Sequence, residues 1–257
     1  MINQAEAGCD LLVISPHTDD AEIGVGGMIC QLARQGRRVW VLDLTRGELG
    51  SNATPDIRWA EGENASAVLG LTGRIQLELP DGFVDAANQE HVAQVVAVLR
   101  SLRPRWVVTA PDPVRHPDHV ATPPLVRKAV FMARLGQWQP QLAGHRVWAG
   151  GAQLPKAVER WETESVFGVC ADDEKPAAIF DVSDVWAEKQ KALACYASQF
   201  GRGDGQVATT INAPEFMERI ERRAKTWGRR AGTQWAEALS SQAVPVLNDT
   251  TPERWRG

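Results

Sequence analysis

Apolar residues in the first half of the chain follow two alternating spacings. Continuous apolar runs at 11–15, 39–44, 75–79 and 106–110 have the length and the turn-forming flanks of short buried strands. Between them, apolar residues recur every three to four positions at 22–35, 55–69, 89–102 and 119–135, the spacing of one buried helix face. The helix ends are marked. Thr54 and Pro55 suit a capping residue and a first-turn proline, Gly36 stops the first helix, and Pro104 closes the third. Strand–helix alternation predicts an α/β fold, a mostly parallel sheet with helices on both faces. Such a sheet binds ligands beyond the carboxyl ends of its strands, near a topological switch point. The loops after Ser15, Leu44 and Ala110 should then share one rim.

The second half is less regular. Strands are predicted at 146–149, 165–169 and 178–180. A helix is predicted at 182–198, capped by Asp181 or Ser183, and another at 214–230, ended near Gly232. A glycine-rich loop occupies 201–205. With no internal repeat and no linker-like stretch, residues 1–257 read as a single domain whose second half caps the sheet.

Net charge of −4 and the lack of a dense Lys/Arg face give no electrostatic footprint for nucleic acid. The basic cluster at 219–230 alternates with apolar residues at helical spacing, as the solvated face of a helix does. No apolar run approaches the roughly 18 residues of a membrane span, and the polar first ten residues do not read as a signal peptide. The four cysteines are scattered, with no C-x-x-C pair, which fits a reducing cytoplasm.

Two segments concentrate chemistry. Residues 15–22 read Ser-Pro-His-Thr-Asp-Asp-Ala-Glu, directly after the first strand and opening the first helix. Imidazole and carboxylate are ordinary zinc ligands, and His17 and Asp20 are spaced to point to one side of a turn, with Asp19 beside them. The plainer alternative is a helix N-terminus whose carboxylates favour the positive end of the macrodipole. The second segment, Arg115-His116-Pro117-Asp118-His119, follows the fourth strand and also opens a helix, so the sheet geometry brings it to the same rim. Together they supply histidines and carboxylates for a mononuclear catalytic site, where a metal lowers the pKa of water and a neighbouring carboxylate takes its proton.

A third segment, 45–52, follows the second strand, and Gly47 and Gly50 suit a turning loop. Arg58, early in the next helix, could reach the same rim and clamp a carboxylate. His91 and His145 read as structural. Gly24, Gly26 and Gly27 fall inside the first helix, where they read as close helix–sheet packing rather than a nucleotide loop.

At these residues the chain resembles the LmbE-like, or PIG-L, family of zinc-dependent N-acetylglucosaminide deacetylases. The family's His-Pro-Asp-Asp-Ala/Val-Glu motif stands here as residues 17–22, with Thr18 in place of the proline, and its His-Pro-Asp-His motif as residues 116–119. Further matches at 43–49, 79–82, 196–200 and 214–216 resemble the bacillithiol biosynthesis deacetylase branch most closely. The resemblance implies a Rossmann-like sheet and a zinc ion, or another divalent ion such as iron(II), bound by His17, Asp20 and His119. It implies Asp19 as general base. His116 would stabilise the oxyanion or protonate the leaving amine, and Asp118 would orient a histidine. Arg58 would contact substrate, on the side of the sugar away from the metal. The implied substrate is N-acetylglucosaminyl-malate and the implied assembly a homo-oligomer, trimer or hexamer. The family often uses a tyrosine to polarise the acetyl carbonyl. Tyr196, the sole tyrosine, sits on a predicted helix and reads as structural, which leaves that task to His116 and the metal. The competing readings are a deacetylase or amidase for another small N-acetylated conjugate, and a non-catalytic metal- or sugar-binding protein. Asp19 argues against the last, since a binding site needs no base.

Overall fold

The computed structural model describes residues 8–110, 116–150, 154, 157, 159–172, 174–203 and 205–241. Among these, strands β1 (Cys9–Ser15), β2 (Val39–Thr45), β3 (Gly73–Leu79), β4 (Pro104–Thr109), β5 (His145–Trp148), β6 (Ser165–Val169), β7 (Ala178–Asp181) and β8 (Ala236–Ser240) form one sheet. Its order is β5-β3-β2-β1-β4-β6-β8-β7. The strands from β3 to β6 are parallel, β5 closes one side antiparallel to β3, and β8 runs antiparallel to both β6 and β7. The chain builds outward from β1 through β2 and β3, then crosses to β4 on the other side of β1. The switch point therefore lies between β1 and β4, where the sequence pattern places both histidine segments.

The helices are α1 (Asp20–Arg34), α2 (Pro55–Leu69), α3 (Gln89–Leu102), α4 (Pro117–Ala133), α5 (Trp186–Ala194), α6 (Ala197–Phe200) and α7 (Pro214–Ala231). Successive strand residues serve opposite faces. Leu11, Val13, Val39 and Val41 pack against Val25, Ile29, Leu69 and Leu193 from α1, α2 and α5. Leu12, Ile14, Trp40 and Leu42 pack against Val95, Leu99, Leu125 and Val126 from α3 and α4. Burial on both faces explains why the strands read as unbroken apolar runs.

Two parts of the second half differ from expectation. The single helix predicted at 182–198 is a 3₁₀ turn at Ser183–Val185, then α5, then α6 after a break at Tyr196. Tyr196 leaves helical geometry as its ring turns into the core against Phe200. Strand β8 has no counterpart in the sequence pattern. Its Ala-Glu-Ala-Leu-Ser has no strand signature, and it is extended because β6 and β7 offer it ladders on both sides. The helix at 214–230 is present as α7, burying Phe216, Ile220, Ala224 and Trp227 and turning its basic face outward. Among the described residues no helix is long and apolar enough to cross a membrane, and the four cysteines are unpaired.

Candidate active site

The rim begins where β1 ends. After Pro16 the chain turns through His17, Thr18 and Asp19 into α1, and the His17 amide donates to Asp20 Oδ2 at 3.0 Å. Asp19 is forced to φ 122°, a backbone conformation that L residues rarely hold. Thr18, standing where the family motif has proline, accepts a hydrogen bond from Gln76 Nε2 at 3.0 Å, which ties the turn to β3.

This turn brings His17, Asp20 and His119 together. Asp20 Oδ2 lies 3.2 Å from His17 Nδ1 and 3.2 Å from His119 Nε2, and one donor atom from each residue fits within 4.8 Å of the others. Donors bound at about 2.0–2.1 Å around a tetrahedral ion stand roughly 3.3 Å apart, so the set fits a zinc-sized divalent cation. The back of His17 is held as a metal-bound imidazole requires: Nε2 lies 3.1 Å from Asp118 Oδ2 and 3.0 Å from Asp81 Oδ1, leaving Nδ1 for the ion.

Charge points the same way. Among the described residues at and beneath the rim, Asp19, Glu22, Asp43, Asp81 and Asp118 are buried, against two buried guanidiniums, Arg58 and Arg74. Burial alone would lower the basicity of His17, but hydrogen bonds to Asp118, Asp20 and Asp81 carry it well above the ordinary histidine value. Burial likewise works against protonation of His119, and the Asp20 charge overcomes it and raises it. Asp20, though buried, is held well below the carboxylate range by His119 and His17. The pocket thus calls for positive charge at the point where the three donors meet, and a divalent cation meets that demand.

Asp19 stands beside this triangle and behaves differently. Burial pushes its carboxyl up to about 7, against the opposing pull of Arg58. Arg58 Nη2 donates to Thr18 O at 2.7 Å and to Asp19 Oδ2 at 3.3 Å. Its guanidinium lies under Gly47, where a Cβ would fall 2.1 Å from Nη1, so this turn of the 45–52 loop needs glycine. Arg58 is 5 % exposed. The expected substrate contact of Arg58 is thus met at the rim by a guanidinium already engaged with Thr18 and Asp19, the latter next to the candidate ligand Asp20.

His116 caps α4 on the exposed side of the site, its ring 4.7 Å from that of His17. Its Nδ1 accepts from the Asp118 amide at 3.3 Å, which in the neutral ring leaves the proton on Nε2. Burial and the nearby positive His17 lower its basicity, so the neutral form is favoured. Asp118 is buried and takes the amides of Gly82 at 2.7 Å and Val84 at 3.0 Å as well as His17 Nε2. A second cluster of donors, His17, Asp81, His116 and Asp118, is therefore committed largely to holding His17 and the loop after β3.

Asp81 is the residue that the sequence reading missed as part of the site. It follows β3 directly, bonds His17, and accepts the Leu49 amide at 2.9 Å, so it joins the loops after β2 and β3. Its signal was available, a carboxylate at the end of another parallel strand. His91 and His145 lie outside the site; His91 Nδ1 accepts the Asp85 amide in a loop. Tyr196 is fully buried, its ring edge-on to Phe200. Arg115 lies outside the described residues.

Residues 12–130, which carry every candidate ligand, match the family model PIG-L, described as GlcNAc-PI de-N-acetylase. The chain is 30% identical over 244 residues to a Mycobacterium sp. (strain KMS) protein named 1D-myo-inositol 2-acetamido-2-deoxy-alpha-D-glucopyranoside deacetylase, covering 79% of this chain and 78% of that one. The crystal structure of the conserved protein TT1542 from Thermus thermophilus matches with TM-score 0.77 and 32% identity, over 95% of this chain and 98% of that one. The 4-carboxy-2-hydroxymuconate hydratase GalB from Pseudomonas putida KT2440 shares the fold with TM-score 0.69 at 21% identity, over 94% of this chain and 99% of that one. A hydratase on this fold means that the reaction must be read from the site and not from the architecture.

Proposed function

The chain belongs to the PIG-L family of de-N-acetylases, and from that premise we propose that it is a cation-dependent hydrolase removing the N-acetyl group of an N-acetylglucosaminide. The observation that carries this reading is the triangle of His17, Asp20 and His119 with Asp19 next to it. Three protein ligands leave a position open for reactants. Zinc suits the donor set best, and iron(II) is the competing occupant. When bound, the cation supplies Lewis acidity to the acetyl carbonyl and to water.

The chain's own residues account for the proton movements. Asp19 takes a proton from the attacking water, and a carboxyl near 7 is matched to that task at neutral pH. Arg58 holds the Asp19 carboxylate in place. The Nε2–H of neutral His116 donates a hydrogen bond to the oxyanion, and the proton that Asp19 took from water passes to the leaving amine as the C–N bond breaks. Asp118 and Asp81 fix the tautomer and orientation of His17.

The aglycone is a small polar group. The relatives' name favours an inositol over the malate glycoside, and Arg58 bonds Thr18 and Asp19 rather than standing free for a carboxylate. Amine release from a panel of N-acetylglucosaminides carrying inositol, malate or no aglycone, with zinc supplied, tests both levels. We expect turnover of at least one glycoside, with the inositol form ahead. Absence of amine release from all of them, by protein that holds its metal, would overturn the deacetylase reading.

A further inference from the structure

Helix α1 is broken. Val25 departs from helical geometry at φ −141°, ψ 26°. In an unbroken helix the Gly27 amide would donate to the Ile23 carbonyl. Here two side chains from the C-terminal half occupy that gap. Lys189 Nζ, from α5, donates to Ile23 O at 2.9 Å and to Glu237 Oε1 at 2.6 Å. Glu237, from β8, accepts the Gly27 amide on Oε1 at 2.9 Å and the Met28 amide on Oε2 at 2.7 Å. The missing backbone bond is thus replaced by a relay from Ile23 O through lysine and glutamate to Gly27 N, a side-chain insertion of the kind that kinks helices. Lys189 is 2 % and Glu237 4 % exposed, so the pair is committed to this place.

Two glycines inside α1 make room for this contact. A Cβ on Gly26 would stand 3.3 Å from Lys189 Cγ. One on Gly27 would stand 2.7 Å from Val182 Cβ and 3.1 Å from Glu237 Oε1. Gly26 and Gly27, which the chemistry at the rim does not use, are what let the pair approach the helix.

The break isolates the first turn of α1, which carries Asp20 and follows Asp19, from the rest of the helix. One end of that turn is set by β1. The other is set by the relay. We infer that the Lys189–Glu237 pair is a positioning element: by splinting the broken turn it fixes the angle at which α1 presents Asp20 to the cation and Asp19 to water. This rests on the cation reading above. It also gives the C-terminal half, whose described residues supply no candidate ligand, a part in the site.

The test uses the full-length chain and two variants, Glu237→Gln, and Lys189→Met with Glu237→Met. The double variant removes both charges at once, which avoids stranding one of them in the core. Each is freed of metal, checked for folding by circular dichroism, titrated with Zn2+, and assayed when saturated. We expect cation affinity to fall about 10- to 100-fold, the range for groups that orient metal ligands. We expect kcat to fall while KM stays within about a factor of two, because the sugar-binding surface is untouched. A merely stabilising pair would lower the melting temperature and move neither quantity. Folded variants with wild-type zinc affinity and kcat would overturn the inference. If the double variant does not fold, Glu237→Gln, which keeps the size and one acceptor oxygen, decides alone. A wild-type chain that binds no Zn2+ would instead overturn the cation reading, and the inference with it.

Discussion

Arg58 and Arg74 are both buried guanidiniums close to the same acidic cluster, and their surroundings are opposite. Arg74 lies beneath the rim with no exposure. Its Nε and Nη2 fork onto Asp43 at 2.6 and 2.8 Å, and its Nη1 reaches Glu22 at 2.7 Å. Arg58 lies at the rim with one carbonyl at 2.7 Å and one long carboxylate contact at 3.3 Å, and its Nε is buried without a partner. Beside it Asp19 sits in strained backbone. A buried charge that only holds a fold together must be fully paired, as Arg74 is. One left under-satisfied next to a strained carboxylate fits the reactive role proposed for the rim.

That contrast can be broken most severely at the rim. Replacing His17, Asp20 or His119 with alanine should abolish stoichiometric cation binding and cost at least about 10³-fold in kcat/KM, several kcal/mol of transition-state stabilisation. The fold should survive, since these side chains pack little core. Elemental analysis of the purified variants checks this, and unchanged metal content in all three would remove the site as drawn.

At the floor the same kind of deletion should strike stability instead. Arg74→Met leaves Asp43 and Glu22 buried without their counter-charge, and should destabilise by about 3–5 kcal/mol in denaturant titration. A loss below about 1 kcal/mol would mean that the floor is wetter than its geometry implies.

The smallest effect sharpens the comparison. Arg58→Ala removes a charged hydrogen bond worth roughly 1.5–3 kcal/mol, so kcat/KM should fall about 10- to 100-fold. If Arg58 serves Asp19, malate-bearing and neutral glycosides should lose equally. A loss confined to the malate glycoside would show that the guanidinium turns outward to read the aglycone after all.

Much of the frame was legible in the chain. Thr54 caps α2 by accepting the Ile57 amide, and the strands that read as unbroken apolar runs are the doubly buried ones. The rule that ligands gather at carboxyl ends of parallel strands brought residues 17–20 and 116–119 together across nearly a hundred positions. What stayed hidden was set by tertiary context. Strand β8 has no local signal, so Glu237 could not be placed beneath α1. Spacing located Arg58 near the rim, but its direction depends on the missing Cβ of Gly47 and on Asp19. The glycines of α1 read correctly as close packing, and only the fold names Val169, Val182 and Lys189 as what they admit. Asp81 obeys the same rim rule as the two motifs, a carboxylate just beyond the end of β3 that reaches His17.

Asp19→Asn tests the division of labour between ligands and base most directly. The substitution keeps the shape, the tolerance for positive φ and a hydrogen-bonding oxygen for Arg58, and removes only the capacity to take a proton. Metal content and amine release from an N-acetylglucosaminide are measured on the same preparation, beside wild type. The account predicts wild-type cation stoichiometry with hydrolysis reduced by about 10²–10⁴-fold. Hydrolysis within a factor of a few of wild type, with the cation in place, would contradict it.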